Sequence, residues 1–199
     1  KIRGLRVACI IPTFNGRDDL ARLLDSIDKQ TAGFDLFIVD SSSNDGTQEL
    51  AKARVSNVVV IPGSKFNHGG TRQMMVNRNP GYDIYVFLTQ DAYLENSNAI
   101  ECLVAPFVDG RVGAVCGRQL PHLNATPLAQ HAREFNYPEE SRVKSLADAS
   151  VMGIKTPFMS NSFSAYRGKA LLGQAVSLSM SSSQRTCSLP QKCCWLAGR

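Results

Sequence analysis

The run Asp83-Ile-Tyr-Val-Phe-Leu-Thr-Gln-Asp91-Ala92 turns abruptly from apolar to polar. Ile84 through Leu88 carry only aliphatic and aromatic side chains, as expected of a strand covered on both faces in the parallel sheet of an α/β fold. Thr89, Gln90 and Asp91 then fall at the strand's carboxyl end, the edge where open α/β sheets take their ligands. A hard carboxylate at that edge suits Mg²⁺ or Mn²⁺, which prefer oxygen ligands and commonly bridge to substrate phosphates. An Asp that caps the next helix is the other reading of Asp91.

Outward from this strand, strand-like and helix-like runs alternate, the pattern of a mostly parallel sheet with crossover helices. Upstream, Arg6-Val-Ala-Cys-Ile-Ile11 reads as a buried strand ended by Pro12, and residues 18–30 carry Leu20, Leu23, Leu24 and Ile27 at helical spacing. Residues 34–39 form the next strand, then a polar turn, then a helix over 48–54, with Asp45 and Gln48 spaced as a capping box. A strand over 58–61 and a short helix over 70–78 complete the approach to Ile84. Downstream, 95–108 reads as helix and 112–116 as strand. From Arg118 to Pro157 the periodicity weakens, with Pro121, Pro127, Pro138 and a charged stretch from Glu139 to Lys144. A long segment of this kind inside a compact domain is more often a functional excursion than a linker.

At 199 residues and 43% hydrophobic content the chain is long enough for one sizeable core. The formal charge of +5, from 22 basic and 17 acidic residues, is scattered rather than clustered. It fits an anionic small substrate or a peripheral membrane contact, and does not indicate nucleic acid. No apolar run nears the roughly 20 residues that span a bilayer, and the first strand is too short for a signal-peptide core, so the expected location is cytoplasmic. Cys9, Cys102 and Cys116 read as small core residues, whereas Cys187, Cys193 and Cys194 crowd the end without the spacing of a zinc site.

The loops after the strands carry the chemistry. Pro12-Thr-Phe-Asn-Gly16 stands where a dinucleotide-binding fold would have its G-x-G-x-x-G phosphate turn, and the missing glycines argue against NAD. Asp40 ends the second strand, where its carboxylate would accept from a base N–H or a ribose hydroxyl, or else cap the following helix. In Phe66-Asn-His-Gly-Gly-Thr-Arg72, Gly69 and Gly70 permit unusual backbone angles and close ligand approach, and the Arg72 guanidinium suits phosphate or a nucleobase carbonyl. His68 is either part of that site or a turn residue.

Taken together, Pro12-Thr-Phe-Asn15, Val39-Asp-Ser-Ser-Ser-Asn-Asp-Gly-Thr47, Phe66-Asn-His-Gly-Gly-Thr-Arg72, Thr89-Gln-Asp-Ala92 and Ser160-Asn-Ser-Phe-Ser-Ala-Tyr-Arg167 resemble the GT-A glycosyltransferases of the inverting family 2. The likeness is to the rhamnosyltransferase branch that builds surface polysaccharides such as O-antigen, and it covers residues 6 to about 172. It implies a Rossmann-like GT-A sheet with helices on both faces. By the same resemblance, Pro12, Thr13, Asn15, Asp40, His68, Gly69, Gly70, Arg72 and Gln90 would line a nucleotide-sugar pocket, with Asp40 at a pyrimidine base. Asp91 would ligate Mg²⁺ or Mn²⁺ as the surviving carboxylate of an Asp-x-Asp type motif. The implied donor is dTDP-L-rhamnose, and the implied acceptor is a lipid-linked saccharide at the cytoplasmic membrane face.

The chain then departs from the family pattern. A carboxylate general base is expected after Ala-Tyr-Arg167 in a Gly-Gly-Phe…Glu-Asp pattern, yet no Asp or Glu follows Arg167, so no catalytic base is assigned. Residues 173–199 are serine-rich and lack a clean period, as in a disordered terminus. Back-translation of residues 173–198 with a permitted choice among degenerate codons, read two positions later, can give AGGFPEHVILTEDMFAAAKMLLAGW, the missing family segment. The expectation is therefore a glycosyltransferase domain over 1–172 and an aberrant tail produced by a frameshift near Leu172. The competing functional readings are a catalytically dead remnant that still binds nucleotide sugar, and a nucleotidyltransferase. The latter would want a Gly-rich, basic loop directly after the first strand, which Pro12-Thr-Phe-Asn-Gly16 does not supply.

Overall fold

Alternation of buried side chains above and below a central sheet organises the chain, as seen in a computed structural model that describes residues 4–121, 125–153, 159–173 and 192–196. In β1 (Val7–Thr13) the side chains of Cys9 and Ile11 join one apolar layer and those of Ala8 and Ile10 the other. The strands β2 (Asp35–Asp40), β3 (Asn57–Val60), β4 (Ile84–Leu88) and β5 (Val112–Gly117) follow the sequence expectation within a residue or two at most ends. Leu20, Leu23, Leu24 and Ile27 of α1 (Arg17–Ile27) pack on the first layer. Ala51 of α2 (Thr47–Arg54) and Leu103 and Val104 of α4 (Ala99–Val104) join them. Met75 and Val76 of α3 (His68–Arg78) cover the opposite layer, so helices lie on both faces. Ile10, Ile11, Leu20, Leu23 and Phe87 are fully buried, and each such side chain contributes about 1.5–3 kcal/mol of transfer free energy.

The weakly periodic stretch after β5 holds more structure than its sequence suggests. It contains α5 (Pro127–Asn136), the two-residue strand β6 (Val143–Lys144) and a short α6 (Ala149–Met152). Beyond it, β7 (Phe163–Arg167) runs antiparallel between β4 and β5 and is followed by α7 (Gly168–Gly173). Inside the tail, β8 (Lys192–Leu196) pairs parallel with β5, so part of the segment expected to be aberrant or disordered is a strand. The rest of that expectation, over 174–191 and 197–199, lies outside the described residues. The sheet order is β3-β2-β1-β4-β7-β5-β8-β6, with β3, β2, β1 and β4 mutually parallel.

Arg167 fastens β7 to the β5 side of the sheet. Its Nε donates to Val112 O at 2.9 Å, and its Nη2 donates to Phe107 O at 2.8 Å and Asp109 O at 2.9 Å. Its guanidinium also lies 5.3 Å from the Phe107 ring centroid.

Two cysteines fit the core expectation and one does not. Cys9 and Cys116 are buried, and burial pushes their thiols up to about 12 and about 11. Cys102 is exposed on α4. The capping box is corrected as well. Gly46, at φ +91°, is the N-cap of α2, Asp45 Oδ1 accepts from Thr47 N at 3.1 Å, and Gln48 turns back to donate to Ser43 O at 2.9 Å. Among the described residues, no helix is long and apolar enough to cross a membrane.

Candidate functional site

The parallel ladders set where a ligand can sit. β1 stays in register with β2 as far as Thr13 opposite Asp40, but its register with β4 ends at Ile10 opposite Phe87. β1 thus has β2 on one side and β4 on the other, and only the first ladder persists to the carboxyl edge. That is the topological switch point, where open α/β sheets bind ligands.

The loop after β1 is tied down from both sides. Toward β2, Thr13 Oγ1 donates to Asp40 Oδ2 at 2.8 Å and Asn15 N donates to Ser43 Oγ at 2.9 Å. Asn44 N donates to Asn15 Oδ1 at 3.0 Å, and Gly16 N to Thr47 Oγ1 at 3.1 Å. Toward β4, the Gln90 carboxamide accepts from Phe14 N at 2.8 Å and donates to Phe14 O at 2.9 Å. Asn15 takes φ +42°, a left-handed conformation that Asn tolerates better than most residues. Pro12 is half-buried at the end of the strand.

Asp40 is fully buried, and its carboxylate accepts from Thr13 Oγ1, from Ser43 Oγ at 2.6 Å and from Ser43 N at 2.8 Å. An ionised carboxylate offers roughly four acceptor positions, so three are taken by the chain itself. The helix-cap alternative is overturned, because Asp40 closes a turn at Ser43 before α2 begins at Thr47. The group nearer that helix is Asp45. A hydrogen bond from the Thr47 hydroxyl, at 2.5 Å, is the main cause holding its carboxyl below the usual carboxylate value.

The third loop differs from its expectation. Asn67 caps α3, its Oδ1 accepting from Gly69 N at 3.1 Å and Gly70 N at 2.8 Å, while Thr71 Oγ1 accepts from Asn67 N at 3.1 Å. Gly69 and Gly70 therefore lie in the first helical turn, and neither has a positive φ. Their expected unusual backbone angles are absent, since the Asn67 cap lets the helix start at His68. Arg72 is buried at 3% exposure, with Nη1 donating to His68 O at 2.6 Å and its guanidinium 5.9 Å from the Phe87 ring centroid. His68 is exposed and meets Phe66 edge-on at 4.9 Å.

Asp91 is the contrasting carboxylate. It is exposed, in a turn closed by Ala92 N donating to Thr89 O at 3.0 Å, and among the described residues no donor engages its side chain. Its helix-cap reading is overturned, because α4 begins at Ala99 after Asn98. Among the described residues, no three His, Cys, Asp or Glu gather as a metal cage. A hard cation held at one carboxylate draws its remaining ligands from water and substrate phosphate, and an unengaged Asp91 fits that role. Sequence reasoning missed Ser43, Thr47, Asn67 and the pair of hydrogen bonds from Gln90 to Phe14. The Asp40-Ser-Ser-Ser run signalled a polar turn without showing which hydroxyl reaches the Asp40 carboxylate.

Comparison with known proteins bears on the family and the fold. The family model described as glycosyl transferase family 2 matches residues 8–172. The chain is 49% identical over 166 residues to the O-antigen chain rhamnosyltransferase RfbN of Salmonella typhimurium, covering 82% of this chain and 52% of that protein. It thus spans about half the length of that relative. Among solved structures, S. aureus TarS residues 1–349 in complex with UDP superposes with a TM-score of 0.72 at 17% identity, over 98% of this chain and 59% of that one. The mannosyltransferase PcManGT from Pyrobaculum calidifontis, in complex with GDP-Man and Mn²⁺, gives 0.62 at 19% identity, over 98% and 58%.

Proposed function

The chain belongs to glycosyl transferase family 2, and from that premise we propose that it carries the donor-binding half of an inverting transferase. The sugar moved is L-rhamnose from dTDP-rhamnose, and the acceptor is a lipid-linked saccharide of a surface polysaccharide at the cytoplasmic membrane face. The observation that carries this reading is the unengaged Asp91 carboxylate at the carboxyl end of β4, beside a β1 loop tied to Asp40 and to Gln90. The likeness to RfbN supports the rhamnosyl donor and the O-antigen setting. The net charge of +5 supports attraction to a diphosphate and to an anionic membrane surface.

In this reading Thr13, Asn15 and Pro12 wall the nucleotide pocket, and Asp40 stands behind them at its pyrimidine end, holding Thr13 and Ser43 in place. His68, Gly69 and Gly70 bring the amino end of α3, with its partial positive charge, to the same edge, and Arg72 adds a buried guanidinium beneath it. Asp91 would hold Mg²⁺ or Mn²⁺, which would supply positive charge against the diphosphate leaving group. Inversion also needs a carboxylate to take the acceptor's hydroxyl proton. No Asp or Glu follows Arg167, so this chain binds donor and turns it over poorly.

The test is a thermal-shift panel of dTDP, UDP, GDP, ADP and NAD, each with and without Mn²⁺ or Mg²⁺. A ligand that binds only the folded state raises the melting temperature. The expected result is the largest shift with a pyrimidine diphosphate plus metal. Equal shifts with ADP or NAD, or indifference to metal, would overturn the reading.

A further inference from the structure

We propose that Gln90 is a positioning residue that joins the nucleotide loop after β1 to the turn bearing Asp91. This rests on the donor-site reading above and goes beyond it, since it takes Gln90 off the list of ligand contacts. Three observations carry it. The β1–β4 register stops at Ile10 opposite Phe87, while β1 continues beside β2 to Thr13. Past Phe87, the described side-chain link between these two strand ends is the Gln90 carboxamide. It engages Phe14 as a neighbouring strand residue would, taking its N–H at 2.8 Å and giving to its C=O at 2.9 Å. Finally, a Cβ on Gly16 would lie 2.2 Å from Gln90 Nε2, so Gly16 is the residue type that leaves room for the amide.

The consequence is mechanical. Phe14 and Asn15 belong to the nucleotide loop, and Asp91 directly follows Gln90. A carboxamide bonded twice to Phe14 therefore fixes the distance between the base-side loop and the metal-side carboxylate before any ligand arrives. Preorganisation of this kind spares the ordering entropy that a loose loop would lose on binding. Both amide atoms used on Phe14 are the polar atoms that a ligand contact would require.

Amide hydrogen exchange followed by two-dimensional NMR on the ligand-free 199-residue chain, paired with titration of dTDP with and without Mn²⁺, tests the assignment. In Gln90→Ala the Phe14 amide is expected to exchange at least roughly tenfold faster, with core amides of β1 unchanged, and dTDP affinity is expected to fall several-fold in both metal conditions. Gln90→Glu keeps an acceptor for Phe14 N–H and loses the donor to Phe14 O, so its Phe14 exchange should lie between the two. It also serves as the readout if Gln90→Ala fails to fold. Unchanged Phe14 exchange with weakened dTDP binding would make Gln90 a ligand contact and overturn the proposal. Faster exchange with unchanged dTDP affinity would reduce it to a fold contact and overturn it as well. If wild-type chain binds no dTDP at all, the donor-site reading fails, while the exchange arm still reports on the clamp by itself.

Discussion

Asp40 and Asp91 both stand at strand ends, yet their surroundings give them opposite work. Asp40 is wholly enclosed and holds Thr13 and Ser43, so replacing it with alanine strands two hydroxyls and a backbone N–H in a dry site. Hydrogen bonds to a charged group are worth about 1.5–3 kcal/mol each and are costly to leave half-made. Asp40→Ala should lower stability by at least about 2 kcal/mol, read as a shifted midpoint in urea. Asp91→Asn should behave differently, keeping its shape and its stability because no described donor engages it. Its metal-dependent nucleotide affinity should fall at least roughly tenfold, about 1.4 kcal/mol, as one charge-assisted contact is lost. Calorimetric titration of dTDP with Mn²⁺ checks this, and unchanged affinity would count against a metal role. The position of Asp91 just past β4 was legible because the end of an apolar run is a local feature. The sequence left Asp40 open because the hydroxyls that close on it come from Thr13 and Ser43, and nothing in three consecutive serines marks which one reaches the carboxylate.

At the scale of elements, legibility followed how local the cause was. β1, β2, β4 and α1 were readable because burial on both faces or at helical spacing writes itself into the apolar pattern. β7 was not assigned, although its residues were singled out as a motif. Its place between β4 and β5, antiparallel to both, depends on the Arg167 contacts with Val112, Phe107 and Asp109, more than fifty residues away in sequence. The start of α3 differs from its expectation for a local reason. The expected helix begins at Gly70, while Asn67 supplies the cap that lets it begin two residues earlier, at His68. Asn67→Ala should therefore cost about 1 kcal/mol, typical of a lost N-cap, measured in urea, and should raise amide exchange at Gly69 and Gly70. A loss confined to ligand binding, with stability unchanged, would show that the cap is not what holds the helix start.

At the scale of the molecule, a well-formed sheet edge sits beside a chain whose last acidic residue comes before Arg167. The loops after β1, β2 and β4 are bonded to one another through Thr13, Ser43, Gln90 and Asp40, whereas the stretch after β5 leaves large apolar side chains uncovered among the described residues. Leu128, Phe135 and Val151 are each more than half exposed there. The alternate-frame segment supplies what residues 168–199 lack, a Glu-Asp pair followed by an alanine-rich apolar run of helical character. We therefore expect the 199-residue chain to show little rhamnosyl transfer, and a gene with the frame restored after Leu172 to recover it. Loss of a general base costs on the order of 10² to 10⁴ in rate, so the two forms should differ by at least a hundredfold with dTDP-rhamnose and a lipid-linked acceptor. Because Asp91 and the β1 loop are common to both forms, dTDP binding should stay within a few-fold. That combination separates a missing base from a misfolded donor site. Normal turnover by the 199-residue chain, or a frame-restored form that binds dTDP yet transfers no faster, would sink the idea.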